Sequence, residues 1–332
     1  MTDRPLLSVC IPTYNRAGYL GECLSSIETT GLDGLIEVVV SDNASTDDTL
    51  SVLKEFANRL PLRWVVQAEN VGPDRNFDAV VHAANGEYCW LLGSDDIVEA
   101  GALQTIVQTL RSDQPDILHF GYVQGDIDLN RISKAHPHAS RTSVSPGDLA
   151  SYFERMANMS LLFTFMSSFI FRRSVWTNRS ELQRGWMGTF YVQALTMHHA
   201  LAAGASLASL DQCMVVARGG NPNEINTIPG KFVSLDARTL ALLVSDIYAG
   251  DKRYWHALGA PFRRSYPIKA LVYTAANGGL QYIMDNRDVL VRLGHPPSIF
   301  SALTTLNRLR LLWLVKLLIK LRRNTLTIAS RD

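Results

Sequence analysis

The sequence predicts an α/β fold, a mainly parallel sheet flanked by helices, followed by a helical carboxyl-terminal region. Three observations predict it. Strand-like and helix-like patterns alternate through the amino-terminal half, an order that lays strands side by side with helices over both faces. The texture changes at Gly219-Gly220-Asn221-Pro222-Asn223, beyond which helix-like runs dominate. An apolar strand pattern at residues 88–92 also runs into adjacent carboxylates at Asp95 and Asp96, and open α/β sheets bind ligands at the carboxyl ends of their strands.

The elements follow in order. Leu7-Ser8-Val9-Cys10-Ile11 is a short apolar run stopped by Pro12. Residues 19–30 place Leu20, Cys23, Leu24 and Ile27 at helical spacing. A second strand is read at residues 36–40. Ser45-Thr46-Asp47-Asp48 matches a helix start, with Ser45 placed to cap and Asp48 to reach back, before a helix running to about Asn58. Residues 62–66 are a third strand. Pro73 and Asp74 suit the first turn of the next helix, which Gly86 ends before the strand at 88–92. Residues 116–148 are more polar and less regular after a strand at 117–120, and packed elements return at 149–159, 166–171 and 191–201. Val215-Val216-Ala217 ends a further strand. Helical patterns then cover 235–247, 266–276, 288–293 and 299–323. The expected division is a sheet domain over residues 1–220 and a helical region over 221–332.

Composition narrows the class. A chain of 332 residues with 47% apolar content can bury a sizeable core. Its net charge of +1 gives no reason to expect nucleic acid as a partner. Cys10, Cys23, Cys89 and Cys213 are dispersed and show no Cys-x-x-Cys spacing, as expected for free thiols of a reducing compartment. No leader pattern precedes the first strand and no run approaches about 18 apolar residues. A cytoplasmic protein is expected.

Two adjacent acids repel unless a cation, a hydrogen-bond donor or water compensates them, so Asp95-Asp96 suits a divalent metal holding a diphosphate. A solvated turn or helix cap is the plainer alternative. The rest of the amino-terminal half favours the first. Ser8-Val9-Cys10-Ile11-Pro12-Thr13-Tyr14-Asn15-Arg16, Val38-Val39-Val40-Ser41-Asp42-Asn43-Ala44-Ser45-Thr46-Asp47, Asn70-Val71-Gly72 with Asn76, Ala84-Asn85-Gly86-Glu87-Tyr88 and Gly93-Ser94-Asp95-Asp96 stand in one order. Together they resemble the family-2 type of nucleotide-sugar glycosyltransferase, which has a Rossmann-like GT-A fold.

That resemblance implies roles. Asp95 would contact ribose or metal and Asp96 would ligate Mg²⁺ or Mn²⁺ directly, with the ion offsetting charge on the departing nucleoside diphosphate. Asp42 would accept a hydrogen bond from the base, the alternative being a turn Asp bonding its own backbone. Tyr14, after Pro12 and beside Asn15, would stack on the base or cover the sheet edge. Asn70, Gly72 and Asn76 would let the chain approach the nucleotide. Arg218, opening the Gly-rich loop, would clamp the diphosphate or be a surface Arg. Asp47 and Asp48 are assigned to helix capping.

Two departures stand out. Many members carry another acid two residues before Asp95, where this chain has Gly93. Inverting members also carry a Glu-Asp pair whose Asp takes the acceptor proton, yet Trp186-Met187-Gly188-Thr189-Phe190-Tyr191 contains no acid. His198, His199, Glu181 and Asp211 are the nearby candidates for a base, which needs to lie within about 3 Å of the hydroxyl; a retaining course, or an acid supplied from Asp126 or Asp128, is the alternative. Gly72-Pro73-Asp74-Arg75-Asn76 with Trp90-Leu91-Leu92-Gly93 is similar to abequosyltransferase-type members, implying a deoxysugar donor.

From residue 299 to 323 no acid occurs, while Arg308, Arg310, Lys316, Lys320, Arg322 and Arg323 interleave with apolar residues and Trp313. The expectation is a basic amphipathic helix on the inner membrane surface, near a lipid-linked saccharide acceptor of the O-antigen or capsule type. Its alternative is a helix packed on the protein with a solvated face. A nucleotidyltransferase, or an inactive nucleotide-sugar-binding protein, is the rival function.

Overall fold

The structure, a computed structural model, describes residues 4–27, 31–135, 142–179, 185–221, 227–314 and 316–317. It divides into two compact units, Met1–Tyr152 with Ser160–Asn221, and Phe153–Met159 with Pro222–Asp332. The first unit alternates β1 (Leu7–Thr13), α1 (Ala17–Ser25), β2 (Ile36–Asp42), α2 (Thr49–Phe56), β3 (Leu62–Val66), α3 (Pro73–Ala83) and β4 (Tyr88–Leu91). Then come β5 (Ile97–Val98), α4 (Ala102–Asp113), β6 (Ile117–Gly125), β7 (Arg131–Ala135), β8 (Thr142–Val144), β9 (Phe169–Arg172) and β10 (Leu207–Ala217).

Among the described residues these strands form one sheet, ordered β3-β2-β1-β4-β9-β6-β10-β5, with β7 on β6 and β8 on β10. The β3-β2-β1-β4 half is parallel. β9 enters between β4 and β6 antiparallel to both, and β10 returns parallel to β6. All seven residues of β1 are buried, as a central strand covered on both faces requires. From β1 the chain moves outward to β2 and β3, then crosses to the other side at β4. That reversal is the switch point where such sheets open a crevice at their carboxyl ends.

Several expected boundaries shift for physical reasons. β1 continues through Pro12 to Thr13, since Pro near a strand end forfeits only its own N–H. Ser45 does not cap α2; its hydroxyl accepts from Asn15 N–H at 2.8 Å. Asp47 instead accepts from Thr49 N–H at 3.1 Å, from the Thr49 hydroxyl at 2.5 Å and from Ala17 N–H at 2.9 Å. α3 ends at Ala83 rather than at Gly86. Gly86 is required by close approach, because a Cβ there would lie 2.5 Å from Ser8 Oγ and 2.7 Å from Ser8 N. Beside it, buried Glu37 accepts from Ser8 Oγ, Asn85 N–H and Arg63 Nε.

The second unit is helical, with Lys231–Leu242, Lys252–Ser265, Ile268–Thr274 and Pro297–Arg308 among its elements. The expected helix over 299–323 is not continuous. It ends at Arg308, and Arg310 turns the chain at φ 55. Ile299, Phe300 and Leu303 are buried, so this part packs within its unit. Beyond it Leu309, Trp313 and Leu317 are exposed, while Lys320, Arg322 and Arg323 lie outside the described residues. No described helix is long and apolar enough to cross a membrane. The four cysteines are free, and Cys10, Cys23 and Cys89 are buried.

Two histidines lie in the core of the first unit. His119 on β6 meets the Tyr152 hydroxyl at 2.8 Å and Phe163 at a ring distance of 4.7 Å, and His198 packs edge-on to Phe163 at 5.5 Å. Burial lowers both from 6.5 to about 3. Below pH 6.5 the unfolded chain takes protons that the folded chain refuses, so this stabilisation is complete above that pH and is lost as pH falls toward 3. Buried Asp74 and Asp96, whose carboxyls are raised, act in the opposite sense. The expected result for His119→Phe is therefore a stability-versus-pH slope below 6.5 shallower than the parent's by up to about 1.4 kcal/mol per pH unit. Urea denaturation at pH 7 and pH 5 measures it, and equal slopes would refute the assignment.

Candidate active site

The carboxyl edge at the switch point gathers the chain after β1, Asp42 at the end of β2, the β3–α3 loop and the acids after β4. The acids lie in the passage from β4 to β5. β5 pairs with β10, Ile97 opposite Val216 and Val98 opposite Val215, which brings Arg218 beside Asp96. Its N–H donates to Asp96 Oδ1 at 3.1 Å and its Nε to the Asp95 carbonyl at 3.0 Å. On the other flank β4 pairs with β9, Tyr88 opposite Arg172, and that register continues to set Ser167 against Gly93. The Ser167 hydroxyl accepts from Gly93 N–H at 2.9 Å and donates to Asp96 Oδ2 at 2.6 Å. Asn221 Nδ2 donates to Asp95 Oδ2 at 2.5 Å.

Asp96 is buried. That burial, and next the charge of Asp95, push its carboxyl well above the usual carboxylate range, against the bonds from Ser167 and Arg218. Gly93 makes the arrangement possible. A Cβ there would stand 2.6 Å from Asp96 Oδ2 and 3.1 Å from Asp95 Oδ1, so an acid at position 93 would displace the pair as it stands. Two carboxylate oxygens converge over the bare glycine, and Asp95 Oδ1 takes no hydrogen bond among the described residues. No group of three or more His, Cys, Asp or Glu gathers as a metal cage among them. A pair of carboxylates fits Mg²⁺ or Mn²⁺ of the kind that draws its other ligands from water and substrate phosphate.

At the end of β2, Asp42 is fully buried; Oδ1 accepts from Ser45 N–H at 3.0 Å, while Oδ2 has no partner among the described residues. Both readings of this residue thus have an oxygen, one spent on the turn and one buried and still lacking a donor. Tyr14 is 42% exposed at the mouth of the crevice. Pro12 is buried within β1 and presents no surface to a ligand. Asn15 turns at φ 50, and its Oδ1 accepts from Thr46 N–H at 2.8 Å, clasping the loops after β1 and β2. Asn70 Oδ1 accepts from Asn43 Nδ2 at 2.9 Å and from Gly72 N–H at 3.0 Å, while Asn43 Oδ1 accepts from Val71 N–H. Asn76 is buried and spent: it accepts from Ser41 Oγ at 2.7 Å and donates to the Ser41 and Thr13 carbonyls. It roots α3 in the strand ends, with both of its amide atoms engaged.

Arg218 is likewise not an open clamp. Its side chain is 3% exposed, with Nη1 on the Ile127 carbonyl at 2.7 Å, Nη2 on Glu22 Oε2 at 2.5 Å and the guanidinium over Tyr19. It serves as the acids' internal counter-ion. Ser167 and Asn221, which hold the two carboxylates, carry no motif of their own; only the strand register and the fold of the Gly-rich loop bring them in.

Residues 186–191 receive an acid from elsewhere. Asp74 Oδ2, in the first turn of α3, accepts from Gly188 N–H at 2.8 Å and Phe190 N–H at 3.0 Å, and Phe190 turns at φ 69. Burial raises the Asp74 carboxyl against those bonds. Three of the candidate bases are buried or otherwise engaged. His198 is wholly buried, His199 packs edge-on to Trp186 at 5.8 Å, and Asp126 accepts from Asp128 and Asn130 N–H within its own turn. Asp128 is exposed on that turn, Asp211 is exposed in β10, and Glu181 lies outside the described residues.

A mainly parallel α/β sheet with an acidic pair at its switch point and an unsatisfied carboxylate oxygen two strands over is the architecture of a nucleotide-binding transferase. The model of glycosyl transferase family 2 matches residues 8–177, and the chain belongs to that family. It is 33% identical over 256 residues to the abequosyltransferase RfbV of Salmonella typhimurium, covering 74% of this chain and 76% of that protein. A shorter likeness, 36% over 107 residues, joins it to the GalNAc(5)-diNAcBac-PP-undecaprenol beta-1,3-glucosyltransferase of Campylobacter jejuni, covering 31% of this chain and 34% of that one. The GT-A fold is shared with S. aureus TarS 1–349 in complex with UDP-GlcNAc, at TM-score 0.60 and 16% identity over 91% of each chain. The mannosyltransferase PcManGT from Pyrobaculum calidifontis, in complex with GDP-Man and Mn²⁺, matches at 0.51 and 19% identity over 94% of this chain and 88% of that one. The chain is a glycosyltransferase.

Proposed function

We propose that this glycosyltransferase moves a deoxyhexosyl residue from a nucleoside-diphosphate donor, with Mg²⁺ or Mn²⁺, to a hydroxyl of a lipid-linked saccharide. The observation that carries the reading is the convergence of Asp95 Oδ1 and Asp96 Oδ2 over Gly93 at the switch point. The ion, when bound, offsets the charge that builds on the departing diphosphate. Asp95 and Asp96 hold it; Asp42 accepts from the base and Tyr14 covers it. Asn15 and Asn70 keep the surrounding loops in shape, Arg218 balances the acids before the donor enters, and Asp74 positions the 188–190 backbone. The deoxysugar and the lipid-linked acceptor rest on the Salmonella and Campylobacter relatives. The exposed apolar side chains after Arg308 support a place at the inner membrane surface.

The test is a thermal-shift panel of nucleotide sugars with and without Mn²⁺. At about a hundredfold excess over Kd, a ligand adds about 2.7 kcal/mol of stability, which raises Tm by several degrees. A rise that needs both Mn²⁺ and one nucleoside diphosphate-deoxysugar is expected. The reading falls if none of the panel moves Tm in the presence of the metal, and turnover of labelled donor then separates an enzyme from a binding protein.

A further inference from the structure

The second unit contains a cavity of about 490 Å³ lined by Gly250, Lys252, Trp255, His256, Arg263, Arg292 and Gly294. Among the described residues no carboxylate lines it. Arg263 is built in: Nη1 donates to the Leu293 carbonyl, a Cβ on Gly294 would collide with its guanidinium, and one on Gly259 would stand 2.9 Å from Nη1. Two bare glycines thus make the slot that fixes this guanidinium. Arg292 lies against Trp255, 5.6 Å from the ring centroid. The Lys252 ammonium and the Arg292 guanidinium form no hydrogen bond or ion pair among the described residues. Two nearby carboxylates are already engaged, Asp251 by Arg253 at 2.7 Å and Glu154 by His256 at 3.2 Å, and Asp288, one turn before Arg292, forms no ion pair with it among the described residues.

Three permanent cations around one cavity call for an anion of more than one charge, and guanidinium edges suit paired phosphate oxygens. A volume of this size takes the group attached to the phosphate as well, with Trp255 as a flat wall beside it. We propose that this cavity binds a phosphate group carried by a larger molecule, at a site of the second unit separate from the acidic pair of the first. That phosphate comes either from a lipid headgroup or from a soluble phosphorylated compound.

The full chain is titrated with inorganic phosphate in EDTA, which keeps a metal-held phosphate from forming at the acidic pair, and sedimented with phosphatidylglycerol or phosphatidylcholine vesicles at low salt. The comparison is Lys252→Gln with Arg292→Gln, both exposed positions that leave Arg263 in its slot. Phosphate affinity is expected to drop about tenfold or more in the double variant, with donor hydrolysis unchanged. Parallel loss of phosphatidylglycerol binding, competed by phosphate, assigns the headgroup; phosphate binding without a change in vesicle retention assigns the soluble compound. The proposal is overturned if the parent binds neither probe, or if the double variant binds both as the parent does.

Discussion

Asp96→Ala is expected to lower sugar transfer about 10³-fold or more, because metal-assisted charge stabilisation contributes several kcal/mol and each 1.4 kcal/mol is a tenfold change in rate. The fold should survive. The change leaves the Ser167 hydroxyl and Arg218 N–H without their acceptor, at about 1–3 kcal/mol each, but it also removes a buried carboxylate held beside Asp95. Asp96→Asn sharpens the result by keeping an acceptor for one of those donors while deleting the charge. Initial rates at saturating donor and Mn²⁺, with melting curves alongside, are the measurement. Either variant turning over like the parent would remove Asp96 from the metal site.

Asp42→Asn is expected to weaken donor binding about ten- to a hundredfold with kcat little changed. The amide oxygen can still accept from Ser45 N–H, so the turn persists, while the buried and unpartnered Oδ2 becomes an N–H facing the ligand's own donor. A charged hydrogen bond is worth about 1.5–3 kcal/mol. Contacts to the base are the same in the ground and transition states, so the loss belongs in KM. Unchanged donor affinity would return Asp42 to the turn alone.

The sheet's first half was legible because each of its signals is local. Apolar runs of strand length, Pro73 at a helix start and acids directly after a strand can be read within a few residues. What escaped depends on pairing across long stretches of chain. β9 inserts antiparallel beside β4, so Ser167 reaches Asp96 through register alone. Arg218 looked like an open cation because its partners, Glu22 and Ile127, come from distant parts of the sequence. Asn76 looked available for the same reason: nothing near it announces that Ser41 and Thr13 consume its amide. At the carboxyl terminus, periodicity extended a helix through Arg310, where the backbone turns left-handed.

The segment from 186 to 191 has neither strand nor helix to hold it, and two of its amides hang on the single carboxylate of Asp74. Asp74 stands two residues after Gly72 on a helix anchored through Asn76 to the tips of β1 and β2. The segment is therefore tied at one end to the helix Val192–Ala202 and at its amides to α3. The Asp74 carboxylate thus joins the start of α3 to residues 188–190, segments more than a hundred residues apart in the sequence.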